Sequence, residues 1–583
     1  MKQLADLKPL IPYIGKYKRG IFLGMVFILI LNTFSTLVPK SIGWAFDSLE
    51  EPFSRGLLLK YIGYIFILSL FAGFFRFLMR YVMIGISRKI EFDLRNDYFR
   101  HLQSLSQVFF NVTKTGDLMS RATNDLNAVR MVLGPGIMYS INTLMLFCFA
   151  LTYMIKINAA LTLIALTPFP FLAVLINRVG ARVHFWFEKI QAQMSSISAR
   201  AQENISGIRI IKAYIREKSE TDSFKSLNRD YVSLNKRLIK IQSIFFPLIQ
   251  MISGIGFALI LLYGGRSVIS GSISIGDFVA FNTYLMMLLW PVIATGWLVN
   301  IFQRGAASMR RINRIMEAQP SVEDANADNS ITGIDGSIEI RDLTFSYGEN
   351  GHTVLKNISL SIPKNSTIAL IGPTGSGKST LVNLLPRLYD PPPGTVFLDG
   401  HDIRTIPLAL LRKSIGYVPQ ETFLFSDTIK ENIAYGLDHF TDMQLFEAVE
   451  ISQLRDNIES FPHRFETILG ERGINLSGGQ KQRTAISRAL IREPKILILD
   501  DALSSVDTKT EEEILSRLRG IFRTRTCIII SHRVSTIKDA DNIYVIDDGM
   551  IIEEGSHEEL LKADGLYAGL YRKQLLSEEL ELE

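Results

Sequence analysis

The sequence predicts a helical membrane domain of six spans fused to an α/β domain organised around a phosphate-binding loop. Three observations carry that expectation. Six segments before residue 303 approach or exceed the roughly 18 apolar residues needed to cross a bilayer. From about residue 338, short β-branched runs alternate with helical patterns, as in a largely parallel sheet. Within that second part, GPTGSGKS (372–379) follows an apolar run and opens a helical stretch.

Composition agrees with this division. At 583 residues the chain exceeds one ordinary domain, and 47% hydrophobic against 21% charged residues lies at the apolar edge of soluble proteins. The net charge of +5 is small for this length, and no Lys/Arg tract or zinc-ligand spacing points to nucleic acid. The two cysteines, Cys148 and Cys527, each sit in an apolar run, so neither a disulfide framework nor a cysteine-based metal site is expected.

In chain order, MKQLADLKPLIPYIGKYKRG is basic but lacks a small-residue cleavage site and reads as a cytoplasmic lead-in. The spans fall near 21–40, 57–85, 134–156, 158–178, 243–264 and 277–302. Only KINAA separates the third from the fourth, a tight hairpin, and the first and last pairs have short connections near 44–56 and 265–276. The stretches 86–130 and 180–240 are long, charged and helical in pattern, which predicts spans that continue as helices beyond the bilayer. Arg88, Lys89, Arg95, Arg100, Arg121, Arg178, Arg182 and Lys212 lie in or beside them, whereas the first short loop holds Asp47, Glu50 and Glu51 against Arg55. The basic lead-in and base-poor first loop place the N-terminus and the long loops inside. Residues 1–315 are thus the expected membrane domain of a multi-pass protein in the cell's inner (plasma) membrane, with both termini cytoplasmic. The polar, acidic stretch 316–337 reads as a linker, and 338–583 as a nucleotide-binding domain with candidate strands at 338–346, 367–371, 395–398, 496–499 and 526–530.

STIALIGPTGSGKST contains the G-x-x-x-x-G-K-[ST] loop in Gly372, Gly377, Lys378 and Ser379. Small and glycine residues there (Gly372, Pro373, Thr374, Gly375, Ser376, Gly377) let backbone N–H groups curl around phosphate oxygens, and the helix opening at Lys378, Ser379 and Thr380 adds its dipole. Lys378 is placed to reach the β/γ-phosphates and Ser379 to hold magnesium. A second apolar run, KILILD, delivers Asp500 to the carboxyl edge of the sheet, where it is the natural magnesium partner. The loop lacks the G-x-G-x-x-G spacing of a dinucleotide site.

At LSGGQ (476–480), followed by KQRTAISRAL, the chain resembles the signature sequence of the ATP-binding cassette (ABC) superfamily. Over essentially its whole length it is similar to the exporter type of half-transporter, six spans and then one cassette. That resemblance implies further roles. Tyr347 resembles the aromatic that stacks on adenine, Gln420 in YVPQETFLF the Q-loop glutamine, and His532 in IIISHR the switch histidine; SSVD, ending in Asp507, resembles the D-loop. TILGERG (467–473) looks like the segment that touches the membrane domain's loops, and FFNVTKTGDLMSRATND and ENISGIRIIKAY like the two coupling-loop regions. Ser477, Gly478, Gly479 and Gln480 would present donors and a helix N-terminus to the γ-phosphate on a second cassette's loop. ATP, magnesium and a dimer partner follow from the resemblance.

In most relatives the residue after the magnesium aspartate is a glutamate that polarises the attacking water; here it is Asp501, one methylene shorter. The shortfall is about 1.5 Å, and a misplacement near 1 Å already costs on the order of a hundredfold in rate. The chain therefore resembles the degenerate-site subunit of a bacterial heterodimeric multidrug exporter, with a homodimer as the alternative. Its intact signature would complete a partner's site, while its own loop and Asp501 would form the slow one. The expected function is ATP-driven export of amphipathic small molecules. A lipid or peptide flippase and an ATP-gated regulatory subunit are the alternatives, whereas six spans exclude a soluble chromosome ATPase with a related signature. Asn32, Arg76, Asn142, Gln250, Asn282, Tyr284, Met286, Met287, Trp290 and Asn300 are candidate cavity residues, weighed against ordinary helix packing. Pro168, Pro170, Pro247 and Pro291 are expected to kink spans.

Overall fold

A computed structural model describes residues 5–49, 55–348, 351–470 and 473–582. The chain clusters into two compact units, Met1–Gln103 with Lys114–Ala318, and Ser104–Thr113 with Gln319–Glu583. Glu50 and Glu51 of the first short loop, and Glu471 and Arg472 of TILGERG, lie outside the described residues.

The first unit is built on six helices long and apolar enough to span a membrane: α1 (Lys18–Asp47), α2 (Arg55–Ser104), α3 (Thr115–Ile157), α4 (Ala159–Ser206), α5 (Glu217–Ile269) and α6 (Ile275–Met316). Each expected span falls within one of them. The helices also run far beyond the apolar stretches, as the charged pattern predicted. On α2, for example, Glu91 accepts hydrogen bonds from Arg88 (2.9 Å) and Arg95 (2.7 Å), the spacing that places side chains on neighbouring turns. Of the prolines, Pro168 follows a break in α4 at Thr167, whereas Pro247 and Pro291 lie within continuous helix. Two π-helical turns interrupt α3, at Arg121–Asp125 and Val132–Gly136. The first carries the buried Asp125, whose carboxylate accepts from Ser308 (2.9 Å) and Arg311 Nε (2.8 Å) of α6.

Within this unit α6 packs along α1 and α3, and α4 packs along α5. Glycine makes the α1–α6 crossing possible: a Cβ on Gly276 would lie 2.0 Å from the Gly43 carbonyl oxygen. At the same end Asp47 caps α6, accepting the Gly276 N–H (2.7 Å) on one oxygen and the Ser274 hydroxyl (3.0 Å) on the other. Two candidate cavity residues serve packing instead. Asn32 is buried and donates to Asn142 Oδ1 (3.1 Å) and to the Ile28 carbonyl (2.8 Å). Tyr284 is fully buried, donates to the Thr36 carbonyl (2.6 Å) and stacks on Tyr153 with ring centroids 5.5 Å apart. In an apolar medium each of these two side chains finds a partner on a neighbouring helix, and a polar residue inside a span is what pointed to a cavity from sequence alone.

In the second unit, β1 (Ile338–Ser346), β2 (Thr353–Ile362), β4 (Val396–Leu398) and β5 (His401–Asp402) form an antiparallel sheet in the order β2-β1-β4-β5. The larger sheet has the order β10-β9-β3-β8-β7-β6, with β3 (Thr367–Ile371), β6 (Ile415–Val418), β7 (Ile496–Asp500), β8 (Thr526–Ile530) and β9 (Asn542–Asp547) parallel, and β10 (Met550–Gly555) an antiparallel edge. The helices that position its site are α7 (Lys378–Leu384), α8 (Gly478–Leu490), α9 (Thr508–Phe522) and α10 (Leu566–Leu582). The central strands are buried on both faces, as crossover helices demand. Leu497, Leu499, Cys527 and Ile529 enter one apolar cluster, and the alternating Ile496, Ile498, Ile528 and Ile530 enter the other. Part of the membrane-region sequence belongs here too. Ser106 Oγ accepts the N–H groups of Ser321 (2.8 Å) and Val322 (3.0 Å), and Asn111 donates to the Tyr389 hydroxyl (2.7 Å).

Candidate functional site

The site begins where β3 ends. Gly372 has φ +151°, and a Cβ there would meet the Ile546 carbonyl oxygen at 2.0 Å, so the turn out of the sheet has room only for glycine. Gly377, at φ +103°, hands the loop to α7 in the left-handed region for the same reason. The buried Lys378 folds its ammonium back into the loop, donating to the Gly372 (2.9 Å) and Pro373 (2.8 Å) carbonyls and to Ser376 Oγ (3.3 Å). Burial pulls its pKa below the ordinary lysine value, while the nearby Asp500 and Asp501 carboxylates act the other way.

Asp500 closes β7 and is almost wholly buried, 2% exposed, with Ser379 Oγ donating to its Oδ1 at 3.1 Å. Burial raises its carboxyl pKa, against the Ser379 hydrogen bond. Asp501 follows with φ +50°; its N–H donates to the Ile530 carbonyl (2.9 Å) and its carbonyl accepts from Gln482 Nε2 (3.3 Å). A cavity of about 150 Å³ is lined by Thr374, Gly375, Gly377, Lys378, Ser379, Thr380, Gln420, Asp500, Asp501 and His532, with Val354 and Ile530. Most of the expected phosphate, metal and catalytic residues therefore converge.

The remaining expected residues stand apart from that lining. Gly372, Pro373 and Ser376 shape the loop behind it. Tyr347 approaches from the side, its hydroxyl donating to Thr380 Oγ1 (3.0 Å) and its ring edge-on to Tyr389. The signature residues lie elsewhere in the cassette. Ser477 caps α8 in a capping box with Gln480, its N–H donating to Gln480 Oε1 (2.9 Å) while its Oγ accepts the Gln480 N–H (3.3 Å). Gly478 and Gly479 abut Ser505, where a Cβ on Gly479 would reach the Ser505 carbonyl oxygen at 2.9 Å.

Two tying residues escaped the sequence reading. Gln482, buried on α8, donates to Ser504 Oγ (2.9 Å) as well as to the Asp501 carbonyl, and accepts the Ser505 N–H (2.8 Å). Its position three residues from both Gly479 and Ala485 on the buried face was the available signal, a glutamine where the helical period asks for an apolar side chain. Glu511, on α9 and 2% exposed, accepts from Arg533 and Thr536, the residues flanking the turn after His532. A buried carboxylate is retained when it is paired, and nothing in its local pattern announced that pairing.

The arrangement fits a nucleoside triphosphate with magnesium. Loop N–H groups, the α7 N-terminus and Lys378 form an anion cradle. Ser379, Asp500 and the Gln420 amide offer hard oxygens, the donor set of a small divalent ion that keeps phosphate oxygens and waters as its other ligands. Among the described residues there is no cluster of three or more His, Cys, Asp or Glu side chains of the kind a protein-only metal cage needs.

Comparisons with known proteins follow the same division. The profile of the ABC transporter transmembrane region matches residues 21–292, and that of the ABC transporter domain matches 355–504. The chain is 36% identical to the probable multidrug resistance ABC transporter ATP-binding/permease protein YheI of Bacillus subtilis (strain 168), over 95% of each chain. It is 35% identical to the multidrug resistance-like ATP-binding protein MdlA of Escherichia coli (strain K12), over 96% of this chain and 95% of that one. It is also 37% identical to an ATP-dependent lipid A-core flippase of Syntrophus aciditrophicus (strain SB), over 89% and 86%. A solved bacterial Atm1-family ABC exporter with ATP bound superposes with a TM-score of 0.79 at 28% identity, covering 96% of this chain and 99% of that one.

Proposed function

The chain belongs to the ABC transporter family as an exporter half-transporter, an ATPase coupled to export that works with a dimer partner, and from that premise we propose that it exports amphipathic small molecules as the slow-site subunit of a heterodimer. The observation that carries the slow-site reading is Asp501. Its backbone is held on both sides, by Ile530 and Gln482, so the shorter side chain has no means of making up its lost reach.

Each residue then has a role. The glycine loop and Lys378 hold the β- and γ-phosphates, and Tyr347 receives the adenine. Ser379, Asp500 and Gln420 hold magnesium, which when bound neutralises charge on the phosphate oxygens. Asp501 accepts a proton from the attacking water at a stretched distance, and His532 donates toward the γ-phosphate. Ser477, Gly478, Gly479 and Gln480 act in trans, on the partner's nucleotide. The termini, the extensions of α2–α5 and the cassette face the cytoplasm.

Support for an amphipathic cargo comes from a cavity of about 700 Å³ between α3 and α6, whose lining includes Ser140, Thr143, Phe147, Thr295, Phe302 and Gln303 and no charged residue. An apolar wall with a few uncharged polar groups suits neutral or weakly charged amphiphiles. The same lining accommodates acyl chains, so lipid flipping is the second reading, favoured by the flippase among the relatives. Three measurements test the proposal. Purification from the native source is expected to bring a second cassette chain with a glutamate after its magnesium aspartate. The isolated chain is expected to turn ATP over slowly; robust turnover abolished by Asp501→Asn would refute the slow-site assignment. Dye and labelled-lipid uptake into vesicles separates the cargo classes.

A further inference from the structure

The segment that carries His532 is gripped by a residue far away in sequence. Gln574 Nε2, on α10, donates to the His532 carbonyl, and the Val534 N–H donates to Gln574 Oε1 at 2.8 Å. One amide thus engages the chain on both sides of Arg533, as a neighbouring strand would. Glu511 holds the side chains of Arg533 and Thr536, but it is Gln574 that holds the peptide of His532 itself.

α10 is built to deliver that amide. Its first turn is fixed to β10, where Glu553 accepts the N–H groups of Leu566 (2.5 Å) and Tyr567 (3.2 Å). Tyr567 is fully buried in the core, and its hydroxyl meets His557 Nδ1 at 2.6 Å. Gln574 lies seven residues further on, two helical turns, and so on the face that Tyr567 has already docked. The helix acts as a lever arm with an anchored base and a polar tip. His532 in turn lines the phosphate cavity beside Asp501, and the backbone at residue 532 decides where its imidazole stands.

We propose that Gln574 is a positioning residue for ATP hydrolysis: through it the C-terminal helix fixes the peptide of His532 and hence the place of its imidazole in the phosphate cavity. The proposal rests on the reading of His532 as the group that meets the γ-phosphate. Misplacing a reacting group by about 1 Å costs on the order of a hundredfold in rate. Partial loosening, with Glu511 still in place, is expected to cost about tenfold.

The test uses the full-length chain in lipid nanodiscs, as wild type, Gln574→Ala, His532→Ala and the double variant. Hydrogen–deuterium exchange across residues 531–538 reads the clamp without any turnover. Single-turnover conversion of radiolabelled Mg-ATP reads chemistry even when it takes hours, and a fluorescent ATP analogue reads affinity. Gln574→Ala is expected to speed exchange at the Val534 amide and slow conversion about tenfold, with nucleotide Kd within twofold of wild type. In the His532→Ala background it adds no further loss, because it acts through that residue. Gln574→Glu, which sets an oxygen against the His532 carbonyl, does not restore the rate. Unchanged exchange, or normal conversion in Gln574→Ala while His532→Ala is impaired, overturns the proposal. So does an equal loss in both backgrounds, the mark of a merely structural role. Normal conversion in His532→Ala instead identifies the underlying reading of His532 as the failure, and the proposal falls with it.

Discussion

Lengthening Asp501 by one methylene, Asp501→Glu, is the sharpest perturbation of the site. The backbone at this position is set by its N–H bond to Ile530 (2.9 Å) and by the Gln482 bond to its carbonyl (3.3 Å), so the substitution changes side-chain reach and little else. An added carbon–carbon bond is about 1.5 Å long. Since about 1 Å of misplacement is worth on the order of a hundredfold, the variant should raise the rate of this site by roughly that factor, a barrier lowered by about 2.7 kcal/mol. The assay is single-turnover hydrolysis in the full-length protein, in parallel with Asp501→Asn, which keeps the shape and removes the charge. The reasoning is refuted if Asp501→Glu changes the rate by less than about threefold. It is equally refuted if the wild-type chain alone already turns over near the ordinary enzymatic rate of about 10 per second.

Other expectations are independent of that one. Lys378→Ala removes a charge-assisted donor aimed into the phosphate loop, and nucleotide affinity should fall about ten- to a hundredfold in a fluorescent-analogue titration. Asn32→Leu strands Asn142 between α1 and α3, and should lower unfolding free energy by about 1 kcal/mol in a denaturing-detergent titration without altering ATP turnover. Cys527 is fully buried in β8 and burial pushes its thiol up to about 12, so thiolate is scarce at neutral pH; alkylation followed by mass spectrometry should modify it only after unfolding.

The legibility of this chain depends on whether a signal is local. Spans announce themselves because hydrocarbon tolerates little else, so all six apolar segments fall within the helices of the fold. The phosphate loop was equally plain, since Gly372 and Gly377 have backbone conformations or contacts that only glycine accommodates. Of the antiparallel sheet, β1 and β4 were read at 338–346 and 395–398, but β2 and β5 were not, because β2 is a half-exposed edge and the two residues of β5 are too few to show a period. Asn32 and Tyr284 misled for a related reason. A polar residue inside a span signals a partner, but only the packing of α1 against α3 and α6 reveals whether that partner is a ligand or another helix. Gln482, Glu511 and Gln574 act across long sequence separations, and their meaning lies wholly in the partners that folding brings to them.

The crossing of Gly43 and Gly276, with Asp47 clipped onto Ser274 and Gly276, has a bearing on how such a machine moves. Backbones in direct touch leave no slack for sliding, so the first and sixth helices must travel as a single strut at that end. Any opening of the bundle has to be hinged elsewhere. A covalent staple across the two glycine-bearing turns should therefore leave the working stroke intact.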